Sequence, residues 1–293
     1  MAGPLAVSPQ RLRGMNETAS LERAFNGVEI IAVSGLLQKD LDAPRFKAVL
    51  RTVDASQKSG VPHLIMLDDR SHEGTGDYLA RRGATVVTID GETEGGLASP
   101  YVIAAQLIEE FTHESAVMVK FEGEKSVFTG GRNISEIQEG VHQFDVISGV
   151  RTLETWASMP PFQVQTEFWL GSAIGEMLGV SQDTPSGVIA LTSAGRKYFI
   201  NSVVDNHWSY LFGVPLMARK SGLRCGSFDV DFRYDSSVVA EETGNRVFDQ
   251  KRLVQIDEML DKAFELYDGS PRAAQALRLI DFRRVLQRMH NQT

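Results

Sequence analysis

Cysteine is almost missing from this chain: Cys225 stands alone among 293 residues, which excludes an internal disulfide framework and a multi-thiolate zinc site and fits a reducing cytosol. The six histidines are dispersed with no H-E-x-x-H pair, so the zinc-protease pattern is missing too. Basic charge is in deficit. Against 38 Asp and Glu there are 30 Lys and Arg, a net charge of −8, and the cations are scattered, which argues against nucleic acid as a partner. No run approaches the ~20 apolar residues of a membrane helix, and the N-terminus lacks the apolar core of a secretory signal. The expectation is a cytoplasmic protein, with a peripheral membrane contact left open. Three local signatures also fail. Ser34-Gly35-Leu36-Leu37 is not the G-x-G-x-x-G of a dinucleotide turn. Gly123-Glu124-Lys125-Ser126 has glutamate where a P-loop has glycine before its lysine, and the G-x-S-x-G of a hydrolase elbow does not occur.

What is present is enough for a large core, since 42% of the residues are apolar. Short β-branched runs alternate with helical spacing. Strands are expected at Val28 to Ser34, His63 to Leu67, Ala84 to Ile89, Val117 to Val119, Phe144 to Val150, Ser186 to Leu191 and Leu223 to Tyr234. Helices are expected at Pro44 to Lys58, Gly76 to Arg82, Ser99 to Phe111, from Trp169 to Leu178, Ser193 to Ile200 and His207 to Lys220. This order predicts a doubly wound, mostly parallel sheet flanked by helices. Residues 1–24 read as a poorly ordered lead-in or short helix. The tail, 241–293, reads as a helical extension broken at Asp268 to Pro271, packed on the sheet or on a second subunit, which would make a homo-oligomer.

Two acidic turns follow strands. Val117 to Lys120 runs into Glu122-Gly123-Glu124, two carboxylates one residue apart, able to share a hard cation that in turn holds a diphosphate. His63 to Leu67 closes on Asp68-Asp69, which a turn and helix cap would also explain. An acidic turn on a solvated loop is ordinary. The order of elements around these two gives them weight.

LIMLDDRSHEGT resembles the strand and turn V-D-D-G-S-T-D-G-T of GT-A-fold nucleotide-sugar glycosyltransferases. In register after it, Gly95-Gly96-Leu97-Ala98 resembles that family's glycine loop, VMVKFEGEK its strand ending in D-x-D, FDVISGVR the following strand, and TPSGVIALTSAG the acceptor-side segment. His207 to Val230 resembles a late element of dolichyl-phosphate-mannose-synthase-like and mannosylglycerate-synthase-like members. The match spans about Val28 to Tyr234. It departs where glutamates replace the D-x-D aspartates, where Arg70 replaces a small residue, and where Ser148 to Arg151 is not quite Gly-Ser-Arg.

The resemblance implies a GT-A-like domain over 25–240, with a nucleotide-sugar half at 25–130 and an acceptor half at 131–240. It implies transfer of a sugar from a UDP- or GDP-linked donor to a small soluble acceptor, assisted by Mg2+ or Mn2+. Glu124 and Glu122, with His207 or Asp235, would be the metal ligands. Ser34, Asp68, Asp69, Gly96, Glu122 and Arg151 would meet the nucleotide or its phosphates. Glu154, Glu167 and Asp183 are the candidates for an acceptor base in an inverting reaction. Trp156, Phe162, Trp169 and Trp208 would stack on a sugar or fill the core. Two alternatives stand beside this: a catalytically silent GT-A-like domain that binds a nucleotide or a partner, and a sugar-phosphate nucleotidyltransferase.

Overall fold

The computed structural model describes residues 21–22, 25–92, 98–113, 115–125, 131–178, 183, 186–202 and 210–266. Most of the lead-in, Gly96, His207, Trp208 and the tail beyond Leu266 lie outside them.

Seven strands form one sheet in the order β3-β2-β1-β4-β6-β5-β7. They are β1 (Ile30–Leu36), β2 (His63–Asp68), β3 (Thr85–Ile89), β4 (Val117–Lys120), β5 (Val146–Arg151), β6 (Ile189–Leu191) and β7 (Cys225–Val230). All pairings are parallel except those of β6, which runs antiparallel to both β4 and β5. The expected mostly parallel sheet is therefore observed. From β1 the chain builds outward through β2 and β3, then returns to the other side of β1 with β4. That reversal opens a crevice at the carboxyl ends of β1 and β4, the place where open α/β sheets bind ligands.

Helices α1 (Pro44–Lys58), α2 (Thr75–Ala80) and α3 (Ser99–Phe111) join the first four strands. Proline stands in the first turn of α1 and of α3, where its missing N–H costs nothing. Phe46, Val49, Leu50 and Val53 give α1 its apolar face against Ile65 of β2. On the opposite face of the sheet, Ile31, Val33 and Met118 meet α3 and α8 (Tyr210–Lys220).

The second half differs from expectation in three ways. Gly131–Val141 forms a helix, α4, burying Ile137 with Ile134 and Val141 packed around it. The stretch before Trp169, where no helix is expected, holds a short helix, α5 (Leu153–Ala157), and the start of α6 (Pro161–Leu178). The strand expected to reach Tyr234 stops at Val230, because the Asn133 carboxamide takes over the backbone of Asp231: its Oδ1 accepts from the N–H at 2.9 Å and its Nδ2 donates to the carbonyl at 2.6 Å. Beyond β6 comes α7 (Ser193–Ser202), and beyond β7 come α9 (Ser236–Glu242), capped by Asp235, and α10 (Arg246–Leu266). Helix α10 packs on α6 and α8 of its own chain, with Ile256, Met259 and Leu260 buried in the main core. Among the described residues no helix is long and apolar enough to cross a membrane.

Candidate functional site

A cleft of about 450 Å3 occupies the crevice. Strand ends supply its chemistry: Gly35 and Leu36 from β1, Asp68 from β2, Lys120 from β4, then Glu122 and Glu124 from the turn beyond. Tyr101 of α3 ties two of these ends together. Its hydroxyl accepts from the Gly35 N–H at 3.2 Å and donates to the Phe121 carbonyl at 3.3 Å, so the turn bearing the glutamates is fixed to β1. Burial pushes the Tyr101 phenol up, which keeps it a neutral donor. Gly123 lets the turn lie close, since a Cβ there would come within 3.3 Å of Val49.

Each acid of the cleft has a basic partner. The Glu122 carboxylate lies 3.1 Å from Lys125, whose ammonium is buried and also donates to the Ser186 carbonyl at 2.7 Å. Burial alone would raise the Glu122 carboxyl, but Lys125, Lys120 and Arg252 outweigh it and hold it at about 2. Glu124 accepts from Arg45 at 2.8 Å, and Arg45 also pairs with Glu242. Asp68 receives Nε and Nη2 of Arg70 at 2.9 and 2.6 Å, so the arginine that departs from the family's turn holds the aspartate in a two-pronged grip. A side chain at Gly91 would collide with that carboxylate. Asp69 turns away and accepts from the Gly91 N–H at 3.0 Å.

Sequence reasoning missed Lys120. It is buried on the apolar face of β4, where Val33 is its neighbour in register, and its ammonium lies 4.8 and 5.1 Å from the ring centres of Tyr101 and Tyr210. Burial lowers it to about 7 despite the opposing pull of Glu122. The signal was a lone charge closing an apolar strand. Lys251 and Arg252 were missed as well, and both come to the cleft from α10.

Other expected residues gather elsewhere. Arg151 binds Asp183 through Nε and Nη2 at 2.7 and 2.6 Å and Glu167 through Nη1 at 2.6 Å, with the Trp156 ring 3.7 Å from its guanidinium carbon. All three ionic groups are buried, and none lines the cleft. Burial opposes the charge on Arg151, but Asp183 and Glu167 raise its affinity for the proton. The charge of Arg151 is matched inside this cluster by Asp183 and Glu167. Glu154 is exposed in the first turn of α5. Ser34 is buried, its hydroxyl 2.8 Å from Nε2 of His63. Trp169 belongs to the core. Asp235 caps α9, pairs with Arg51 and lines a separate cavity that shares only Glu124 with the cleft. Among the described residues no group of three or more His, Cys, Asp or Glu is placed to hold a metal ion. Glu122 and Glu124 nevertheless suit Mg2+ or Mn2+, hard ions commonly held by one or two carboxylates together with substrate phosphates.

No protein-family model matches the sequence, and no curated protein does. Solved structures do match. Glucosyl-3-phosphoglycerate synthase from Mycobacterium tuberculosis superposes with a TM-score of 0.53 at 11% identity, over 85% of this chain and 84% of that one. The same enzyme in complex with Mn2+, UDP and phosphoglyceric acid gives 0.52 at 11% identity, over 86% and 84%. With Mn2+, UDP and glucosyl-3-phosphoglycerate it gives 0.51 at 10% identity, over 92% and 90%. The chain has the GT-A fold. Within a GT-A sheet, the cleft described above sits at the carboxyl edge between β1 and β4, and Glu122 and Glu124 follow β4.

Proposed function

We propose that this chain is a glycosyltransferase that moves a hexose from a UDP- or GDP-linked donor to a small soluble acceptor with the help of a divalent metal. One observation carries the reading: Glu122 and Glu124 face the same cleft as Asp68, at the switch point of a GT-A sheet. Glu122 and Glu124 are the residues that would hold Mg2+ or Mn2+. The ion, when bound, supplies positive charge to the diphosphate as it leaves the anomeric carbon. The chain's own groups do the rest. Tyr101 fixes the acidic turn, Asp68 with Arg70 presents a polar edge for the nucleoside, and Tyr101 with Tyr210 gives the floor an apolar wall that strengthens nearby charge interactions.

A second reading rests on the ion pairs of Glu122 with Lys125 and of Glu124 with Arg45, which leave both acids compensated without a metal. It makes the chain a silent GT-A-like nucleotide-binding domain. Thermal-shift measurements with UDP, GDP and their sugars, with and without Mn2+, separate the two. Stabilisation by a diphosphate that requires metal supports the transferase. Stabilisation independent of metal, with no turnover of any nucleotide sugar, supports the silent domain. Stabilisation only by a nucleoside triphosphate with a sugar phosphate would replace both with a nucleotidyltransferase.

A further inference from the structure

The two acids of the turn beyond β4 are held by cations of different kinds. Lys125, the partner of Glu122, is 2% exposed and donates as well to the Ser186 carbonyl, so it is locked in place. Arg45, the partner of Glu124, is 28% exposed and lines the cleft. It also has a second carboxylate within reach. Nη1 donates to Glu124 at 2.8 Å while Nη2 pairs with Glu242, the last residue of α9, and the guanidinium carbon lies 5.2 Å from the centre of the Phe248 ring on α10. An arginine that gives up Glu124 keeps Glu242 and the aromatic face. Glu242 is buried, and among the described residues its other ion-pair partner, Arg252, stands 3.9 Å away and lies closer to Glu167, at 3.2 Å. Arg45 is therefore the main cation that Glu242 has.

We propose that Arg45 is a built-in counter-ion that blocks Glu124 while the cleft is empty, and that Glu242 is the positioning residue that draws it off when Glu124 takes a divalent cation. The inference rests on the reading of Glu124 as a metal ligand and adds to it the residues that set how tightly a cation is held. A guanidinium and a divalent cation on the same carboxylate repel each other strongly in a partly buried cleft. Arg45 has to release Glu124, and the free energy of that release weakens the affinity for the cation. Glu242 makes the release easier, because the guanidinium that leaves Glu124 is still paired and still lies on Phe248. An acid paired in the empty protein is then available to a metal. Glu242 ends α9 and Phe248 lies in the first turn of α10, so elements beyond the sheet set the affinity at the turn after β4.

The test is titration of the full chain with Mn2+, alone and with UDP, followed by the paramagnetic resonance of the free ion, for the parent, Arg45→Met, Glu242→Gln, the double variant and Glu124→Ala. Melting temperatures check each fold. Arg45→Met frees Glu124 and should bind Mn2+ about tenfold more tightly than the parent, whereas Glu242→Gln leaves Arg45 with Glu124 as its one carboxylate and should bind about tenfold more weakly. In the double variant, which has no arginine to draw off, Glu242→Gln should add nothing to the effect of Arg45→Met. A mere packing role for Glu242 would weaken binding with or without Arg45, and that result overturns the proposal. Arg45→Met decides the matter by itself should Glu242→Gln unfold. If it binds Mn2+ no more tightly than the parent while Glu124→Ala loses the ion, the exchange is wrong and the metal reading stands. If Glu124→Ala binds as the parent does, or the parent binds no Mn2+ under either condition, both fall.

Discussion

His63 makes the stability of this protein depend on pH in a way the structure specifies. The ring is fully buried in β2, 5.3 Å from the ring of Phe121; Nε2 meets Ser34, and Nδ1 has no hydrogen-bond partner among the described residues. Burial lowers its pKa from 6.5 to about 3, so the folded state holds the imidazole neutral. A depressed pKa means that the unfolded chain takes up the proton first. The contribution is complete above the unfolded value of 6.5 and is lost as pH falls toward about 3. The slope approaches 1.4 kcal/mol per pH unit, so moving from about pH 7 to about pH 5 should cost roughly 2 kcal/mol. Urea unfolding followed by tryptophan fluorescence at those two pH values measures it, with His63→Gln as the non-titrating comparison. Working above pH 5 keeps Glu122 out of the result, since its depression runs from 4.5 down to about 2. The parent should lose about 2 kcal/mol more than the variant over that interval. Equal losses in the two proteins would refute the argument.

Three further outcomes follow from named contacts. Asp68→Ala releases Arg70 and removes a polar edge of the cleft, so affinity for UDP or GDP, whichever binds the parent, should fall about tenfold in calorimetry while the melting temperature changes little. Arg151→Met leaves Asp183 buried without its cation and Glu167 with Arg252 alone, and should cost about 3–5 kcal/mol in chemical denaturation; a loss below 1 kcal/mol would mean the cluster is solvated. Ending the chain after Arg246 removes Ile256, Met259 and Leu260 from the main core, and light scattering should show aggregation. A soluble product of unchanged stability would contradict that.

Much of the fold was legible because the signals were local. The apolar run at Val117 to Val119, the helical spacing in α1 and the glycine punctuation between elements each mark one element, and their alternation implies a parallel sheet. Helix α4 was missed although Ile134, Ile137 and Val141 repeat at helical spacing. The acids that ended strands were legible as cleft residues, and Asp68, Glu122 and Glu124 do line one cleft. What those acids bind was not legible. Arg151 meets Glu167 of α6 and Asp183 only once residues 16 and 32 positions away are brought to β5, and nothing local says that these charges cancel inside the core. Lys251 and Arg252 lie on a polar stretch of the tail more than a hundred residues from Lys120, so their convergence is a product of topology alone.

If Glu122 and Glu124 serve a donor sugar nucleotide, removing Glu124 should stop sugar transfer. The decisive measurement is turnover of UDP- and GDP-linked sugars by the parent and by Glu124→Ala, each with Mn2+. Arg45 keeps Glu242 as a partner when Glu124 is removed, and the turn carries little packing, so the variant should fold. The prediction is metal-dependent turnover by the parent and a fall of about 100-fold or more in the variant, with an unchanged melting temperature. Equal turnover by both proteins, or turnover by the parent that survives excess chelator unaltered, would contradict it.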